Sequence, residues 1–364
     1  MGAEVQQVNF DLSDEQRLLQ ETLRGFLANE CGPPHLRAVF EGEGHDPALW
    51  KGMVELGLAG LHLPERFGGA GLSQVDLAIA AESLGHGGAP GPFLGHALAG
   101  LAIELAGSEA QRERWLPRLA TGEALATVAL GEPGNVWQPE EWTLAAGERL
   151  TGTKTNVPHA AIADLLVVGL AGGRLGLVER GAQGMAVAPI EGVDRVRRID
   201  AVVFQNTPCE GLPGGEAASG RVRDAGLVLL AADAWGAGTR LVEMAVDYAK
   251  TREQFGVTIG HFQALKHQLA SMALDLEPAR ALVWYAAYAQ DHLPEEAPRS
   301  AALAKAHLGD RAMQVARDVV EAHGGIGFTW ECDVQIWFKR CMFDRAFLGA
   351  PAVHRERAAR LAGW

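Results

Sequence analysis

The apolar positions of this chain change their spacing twice. From Leu12 to about Gly122 they recur every three or four residues, the period of helices packed on one face, interrupted by the turns CGPPHL (31–36), LPERFGGAGL (63–72) and GHGGAPGPF (85–93). Ser13 with Gln16 three residues on reads as a capping box that opens the first helix. From about Glu123 to Gly220 the runs shorten and turn β-rich, as in ATVAL (126–130), ADLLVVGL (163–170), RLGLVE (174–179) and AVVF (201–204), with Gly, Pro and Asn between them. The segment GLPGGEAASG (211–220) reads as a linker. Helical spacing then returns, and Phe262, Leu265, Leu269, Met272, Leu276, Ala279 and Val283 predict one long helix with a core-facing stripe. The pattern predicts an α+β protein: a helical domain over 1–122, a small β domain over 123–220 and a helical bundle over 221–364.

Composition narrows the class. A chain of 364 residues with 48% hydrophobic content is long enough for several cored domains, so disordered and fibrous classes fall away. A formal charge of −13 argues against non-specific binding of nucleic acid or anionic membrane, both of which need a cationic surface. The runs FLGHALAGLAIEL (93–105) and AGLVLLAADAWGAG (225–238) are shorter than the roughly 20 residues that span a bilayer. MGAEVQQVNFDLSDEQ has neither the basic and apolar regions of a signal peptide nor a Ser or Thr at position six for myristoylation, so a cytoplasmic protein is expected. Cys31, Cys209, Cys332 and Cys341 are scattered and read as reduced thiols. His261, His267, His307 and His323 are too dispersed for a metal site and read as surface, cap or interface residues. No nucleophile elbow or Walker loop occurs, and RVRR (195–198) is too short for a nucleic-acid patch. The tail AVHRERAARLAGW (352–364) reads as a helix at a subunit interface.

Three separated motifs carry a resemblance. The first region holds WKGMVELGLAGLHLPERFGGAGLSQVDLAIAAESLG (50–85), the third holds YAKTREQFGVTIGHFQALKHQLASM (248–272), and HGGIGFTWE follows at 323–331. Together, in the same helical–β–helical order and across essentially the whole chain, they resemble the acyl-CoA dehydrogenase family. The resemblance implies an N-terminal helical domain, a middle β-barrel or sandwich and a C-terminal four-helix bundle. It also implies FAD, bound where subunits of a tetramer meet, and an electron-transfer acceptor. Arg252 matches the guanidinium that bridges the FAD pyrophosphate, a task suited to its fork of fixed donors. Phe255 and Gln263 match positions along the same path. Gly324, Gly325 and Gly327 form a turn whose missing Cβ atoms let backbone approach a ligand, and Glu321 stands where the family usually has glutamine.

The family removes an α-proton with a glutamate while a hydride leaves the β-carbon for the flavin. By ungapped counting, the usual position of that base falls on Leu348 and the alternative one on Gly226, so neither can take a proton. Asp224 and Asp233 are the nearest carboxylates. The flavin-facing runs are altered too. LGEPGNVWQPEE (130–141) has Gly131 for a threonine and no Ser-Asp, and KTNVP (154–158) has Asn156 for a tryptophan and Pro158 for a threonine; proline offers neither hydroxyl nor N–H. The residues a subunit donates to its neighbour's FAD are kept, whereas those for its own flavin ring and thioester are lost. The resemblance therefore extends to the base-less subunit of heteromeric α2β2 bacterial acyl-CoA dehydrogenases, some of which shorten steroid side chains. It implies a homologous partner carrying the glutamate and an acyl-CoA substrate in the complex. Two other readings stay open: a self-sufficient homotetramer with a relocated base, and a non-redox binding or scaffold protein.

Overall fold

The computed structural model describes residues 11–364, so the readings made on the first ten residues lie outside it. Six helices come first: α1 (Asp14–Glu30), α2 (Pro33–Glu41), α3 (Pro47–Glu55), α4 (Gln74–Gly87), α5 (Phe93–Ala106) and α6 (Glu109–Ala120). Capping boxes open three of them, Ser13–Gln16, Ser73–Asp76 and Ser108–Gln111, each side chain satisfying an amide that the first turn leaves unpaired.

Seven strands follow: β1 (Ala126–Ala129), β2 (Arg149–Pro158), β3 (Leu165–Leu170), β4 (Arg174–Glu179), β5 (Met185–Ile190), β6 (Ile199–Pro208) and β7 (Glu210–Leu212). They form two sheets, ordered β1-β3-β4-β7 and β2-β6-β5, whose only parallel pair is β1 with β3. Leu150, Val157, Val202 and Phe204 of one sheet share a core with Leu166, Val168 and Val178 of the other. Of the two architectures expected, the sandwich is present and a closed barrel is not, among the described residues. Register shifts in β2 at Leu150/Gly152 and Lys154/Val157 break its ladder, and the isolated bridge Gly131–Thr155 and the Thr127 hydroxyl bond to the Pro158 carbonyl link it to the region of β1.

The third region is built on α7 (Gly215–Thr251), followed by the hairpin β8 (Glu253–Gln254) and β9 (Val257–Thr258), then α8 (Gln263–Leu276), α9 (Ala279–His292), α10 (Ala297–Ala322), α11 (Val334–Ala346) and α12 (Pro351–Leu361). Helix α7 packs on α10 and α9 and also on α4 and α5, so one element ties the two helical regions together. It is long and apolar enough to cross a bilayer, but 83% of its most apolar window is buried inside the protein, which marks a core helix.

Two sequence expectations change. GLPGGEAASG is not a linker: Leu212 ends β7 and Gly215 begins α7. Its glycines serve contact, since a Cβ on Gly215 would lie 2.4 Å from the backbone nitrogen of Leu175. The apolar stripe belongs to two helices, because the ladder breaks at Glu277–Pro278, where proline has no N–H to donate. The stripe is also uneven: Met272, Leu276, Ala279 and Val283 are buried, whereas Leu265 and Leu269 are half-buried and Phe262 is exposed.

Candidate functional site

The candidate residues divide between a sealed interior and an exposed end of the bundle. In the interior, Gly226 and Leu348, the two positions that match the family's base by resemblance, meet. A Cβ on Gly226 would stand 2.6 Å from Cδ1 of Leu348 and 3.1 Å from Cδ1 of Leu98. Leu348 has no solvent exposure, and it holds φ 58, a left-handed conformation rarely adopted by a leucine and costing about 1 kcal/mol or more. The turn is fixed by Nε2 of His354, which donates to the Leu348 carbonyl at 3.0 Å. The neighbouring Phe347 ring stacks on Phe343 at 5.0 Å and meets Trp137 edge-on at 4.9 Å.

Trp137 explains Gly131. A Cβ on Gly131 would come within 2.9 Å of the indole and 2.6 Å of the Thr155 carbonyl, so no threonine fits there without movement. The family-like residues that survive nearby hold one another. Lys154, fully buried, donates to Glu132 at 2.7 Å, and Glu132 also accepts from the Thr143 amide and hydroxyl and from the Leu144 amide. Burial alone would raise the Glu132 carboxyl, but these bonds outweigh it and pull it down to about 2. Asn156 lies in the irregular stretch of β2 at φ 53, and the Pro158 carbonyl accepts from the Thr127 hydroxyl.

Neither substitute carboxylate is free. Arg340 grips Asp233 through Nε and Nη2 at 2.7 and 2.6 Å, and Arg197 adds a contact at 3.4 Å. Although burial alone would raise it, the Asp233 carboxyl is held below its ordinary value by Arg340 and Arg197. Asp224 is bound by Arg357 at 2.8 Å and Arg223 at 3.0 Å. Arg223 also donates to Gln138 at 3.2 Å, and Gln138 lies beside the Gly349 turn. This polar layer floors a cleft of about 760 Å³ lined by Arg223, Arg357, Arg360, Gly172 and Gly173. The next void along α7, beside Leu229, Leu230 and Phe93, is only about 30 Å³ and is bordered by Asp233 and Arg340.

The exposed end is arranged in the opposite sense. Arg252 caps α7, its own amide donating to Tyr248 and its carbonyl accepting from Ile259 across the hairpin at 2.7 Å. Its side chain is exposed and has no ion-pair partner among the described residues. The β8–β9 turn is Phe255–Gly256 with φ 57 and 79, the pair of positive angles that a two-residue hairpin demands. Phe255 bears that strain while 93% exposed, its one ring contact among the described residues being edge-on to Phe262 at 6.1 Å. Gln263 opens α8 and contacts His267 at 3.3 Å, and Glu321 lies exposed in the last turn of α10.

The glycine turn follows at once. Gly324 has φ 65, and a Cβ on either Gly324 or Gly325 would meet nothing within 4 Å. Gly325 thus needs to be glycine for neither packing nor backbone angle. An open cradle of this kind fits a ligand or partner brought against the backbone. Gly327 differs, since its Cβ would strike the Val320 carbonyl at 2.3 Å. The Tyr248 and His323 rings stack at 4.5 Å and join the two motifs, so the structure brings Arg252, the hairpin and the Gly324–Gly327 turn to one end of the bundle. Sequence reading missed Tyr248, His323 as a packed ring, and Trp137; the only available signal was their spacing from Arg252, Gly324 and Gly131. Of the four histidines read as surface, cap or interface, His261, His267 and His307 are exposed, and His323 is the buried C-cap of α10.

The N-terminal domain model of acyl-CoA dehydrogenases matches residues 13–123, and the C-terminal domain model matches residues 224–362. Acyl-CoA dehydrogenase IpdE2 of Mycolicibacterium smegmatis is 34% identical over 96% of this chain and 98% of its own. The solved Tcur3481-Tcur3483 steroid acyl-CoA dehydrogenase superposes with a TM-score of 0.89 at 31% identity, covering 96% of this chain and 98% of that one. The ChsE4-ChsE5 complex from Mycobacterium tuberculosis superposes with a TM-score of 0.86 at 26% identity, over 98% of this chain and 99% of that one. The chain belongs to the acyl-CoA dehydrogenase family, oxidoreductases that act on a CH–CH bond with FAD as cofactor.

Proposed function

We propose that this chain is the base-less subunit of a cytoplasmic, heteromeric FAD-dependent acyl-CoA dehydrogenase, completing the FAD site of a homologous partner that carries the glutamate. The observation that carries the reading is the contact of Leu348 with Gly226. Both possible homes of the base are here one apolar contact, sealed from water. FAD supplies the acceptor for the hydride that leaves the acyl β-carbon. Arg252 would bind its pyrophosphate through two or more charge-assisted bonds, and the backbone at Gly324–Gly325 would lie against it. Phe255 and Gln263 would line the same path, and Glu321 would stand at its edge. The interior does not fit the flavin ring of a site of its own, because Trp137 and Phe347 fill the space beside Gly131 and Leu348. The cleft above ends on the Arg223–Asp224–Arg357 layer.

The substrate we assign is an acyl-CoA with a steroid-derived acyl group. Similarity to a solved steroid acyl-CoA dehydrogenase supports this choice, and the ChsE4-ChsE5 complex offers a related precedent for two-chain assembly. A self-sufficient homotetramer would need Asp233 or Asp224 as base, and both are held by buried arginines. A non-redox scaffold leaves the unpartnered Arg252 and the open cradle at Gly325 without a purpose. The test is flavin absorbance near 450 nm with native mass, for the protein alone and co-expressed with a homologue that carries the glutamate. We expect a colourless protein alone and a yellow mixed tetramer with one FAD per pair. A yellow homotetramer with one FAD per chain, turning over acyl-CoA, would overturn the proposal.

A further inference from the structure

Two motifs far apart in sequence must hold a fixed spacing if they are to grip one ligand between them. Resting on the function proposed above, we infer that Tyr248 and His323 form a positioning pair, a stacked strut that sets Arg252 against the Gly324–Gly325 cradle. Their rings lie 4.5 Å apart and 20° from parallel. Tyr248 stands one helical turn before Arg252 and accepts its amide, so any shift of the Tyr248 turn moves the guanidinium's anchor. His323 directly precedes Gly324. Its ring is buried although the residues immediately following it are exposed, and Nδ1 donates to the Val319 carbonyl at 2.8 Å, which fixes the ring's rotation.

The rest of the turn is anchored elsewhere. Gly327 backs onto the Val320 carbonyl, and the Gln335 side chain of α11 donates to the Gly327 carbonyl at 2.6 Å. These contacts hold the far side of the turn to α10 and α11. The Tyr248–His323 stack ties its near side to the end of α7, the helix that bears Arg252. An aromatic pair suits that role because it resists sliding through its broad contact and adds about 0.5–1.5 kcal/mol beyond area burial, roughly two- to tenfold in an affinity that depends on it. Neither ring has to touch FAD.

The test uses the deflavinated mixed tetramer, titrated with FAD and followed by flavin fluorescence, with native mass and Tm recorded for every variant. Arg252→Ala is measured first, and weakened FAD binding by that variant secures the reading on which the inference rests. His323→Ala is then expected to weaken FAD about fivefold at unchanged native mass, and His323→Phe, which keeps a flat ring against Tyr248, to restore affinity to within about twofold. Should His323→Ala fail to assemble, Tyr248→Leu removes the other ring and carries the same expectation. Unchanged FAD affinity in the alanine and leucine variants would overturn the strut. Equal weakening in His323→Ala and His323→Phe would overturn it as well, because the ring face would then be irrelevant. If Arg252→Ala itself leaves FAD binding intact, the proposed function fails rather than the strut alone.

Discussion

The Leu348 side chain is enclosed by its own chain; the Arg252 side chain is not. Leu348 is sealed against Leu98 and Gly226, its carbonyl is bonded, and the nearest carboxylates are each held by arginines. Arg252 has no ionic partner among the described residues, Phe255 is strained and exposed, and Gly325 faces open space. A self-sufficient homotetramer could share the outward residues, but its interior would be unfilled and would hold a free carboxylate. On the function proposed above, the contrast means that the cofactor residues of this chain face outward while the place of its own chemistry is closed.

The largest effect on cofactor binding should come from the outward region. On the proposed function, Arg252→Ala would remove a charged donor from the FAD pyrophosphate, and hydrogen bonds to charged groups contribute roughly 1.5–3 kcal/mol. FAD affinity of the mixed tetramer should fall roughly 10- to 100-fold, with dehydrogenation falling in step at sub-saturating FAD. Titration of the deflavinated complex measures this. An unchanged affinity would remove the outward half of the comparison.

The largest effect on stability should come from an attempt to reopen the interior. Leu348→Glu places a carboxylate against Leu98 in a pocket with no solvent, and an unpaired buried charge costs several kcal/mol or shifts its pKa until it is neutral. We expect the denaturation midpoint to fall by an amount equal to about 3–5 kcal/mol, with no acyl-CoA oxidation by the protein alone. Turnover by this variant without a partner would show that the flavin ring has room in this chain after all.

How far these two regions could be read from sequence differs for a physical reason. The outward residues sit in short contiguous motifs, Arg252 after one helix and two glycines after another, and the resemblance of those motifs to a known family is what singles them out. The same locality made Ser13–Gln16 and the strand of residues 165–170 legible. The interior depends on tertiary contacts, such as that of Gly226 with Leu348, more than a hundred positions apart. Counting found that Leu348 and Gly226 lack a carboxylate, but not that they touch, nor that Trp137 fills the space beside Gly131. Composition misled where glycine served close approach rather than flexibility, as at Gly215, and periodicity ran across Pro278 because apolar spacing does not register a missing N–H.

A third prediction separates the regions by pH. The imidazoles of His62 and His96 are pushed down to about 4, and those of His159 and His354 to about 3, in each case chiefly because burial disfavours the charged ring. The unfolded chain takes up these protons below about 6.5 while the folded chain does not, so the stabilising contribution is complete above that pH. It is lost as pH falls through the interval to about 4, by at most roughly 1.4 kcal/mol per pH unit for each histidine. Tm measured from pH 7 to pH 4 should therefore fall steeply. Replacing His96 by Gln, which retains an amide near the Ala59 and Leu119 carbonyls, should make that fall shallower, whereas Arg252→Ala should leave its slope unchanged.

The smallest effect bears most directly on what occupies the base position. Gly226→Ala adds a methyl 2.6 Å from Leu348 Cδ1 and should destabilise by roughly 1–3 kcal/mol, the range for overpacking a filled core. Leu348→Ala removes that same atom and should cost roughly 2–5 kcal/mol through lost burial and the cavity left behind. If the two positions truly face each other, the new methyl in the double variant enters the space vacated by the leucine. The combined cost should then fall short of the sum of the singles by about 1 kcal/mol, a coupling expected only of residues in contact. Strict additivity in urea denaturation would mean that Leu348 and Gly226 do not share that space. The interior would then have room beside α7, and the contrast between a closed chamber and an open cofactor surface would lose its closed half.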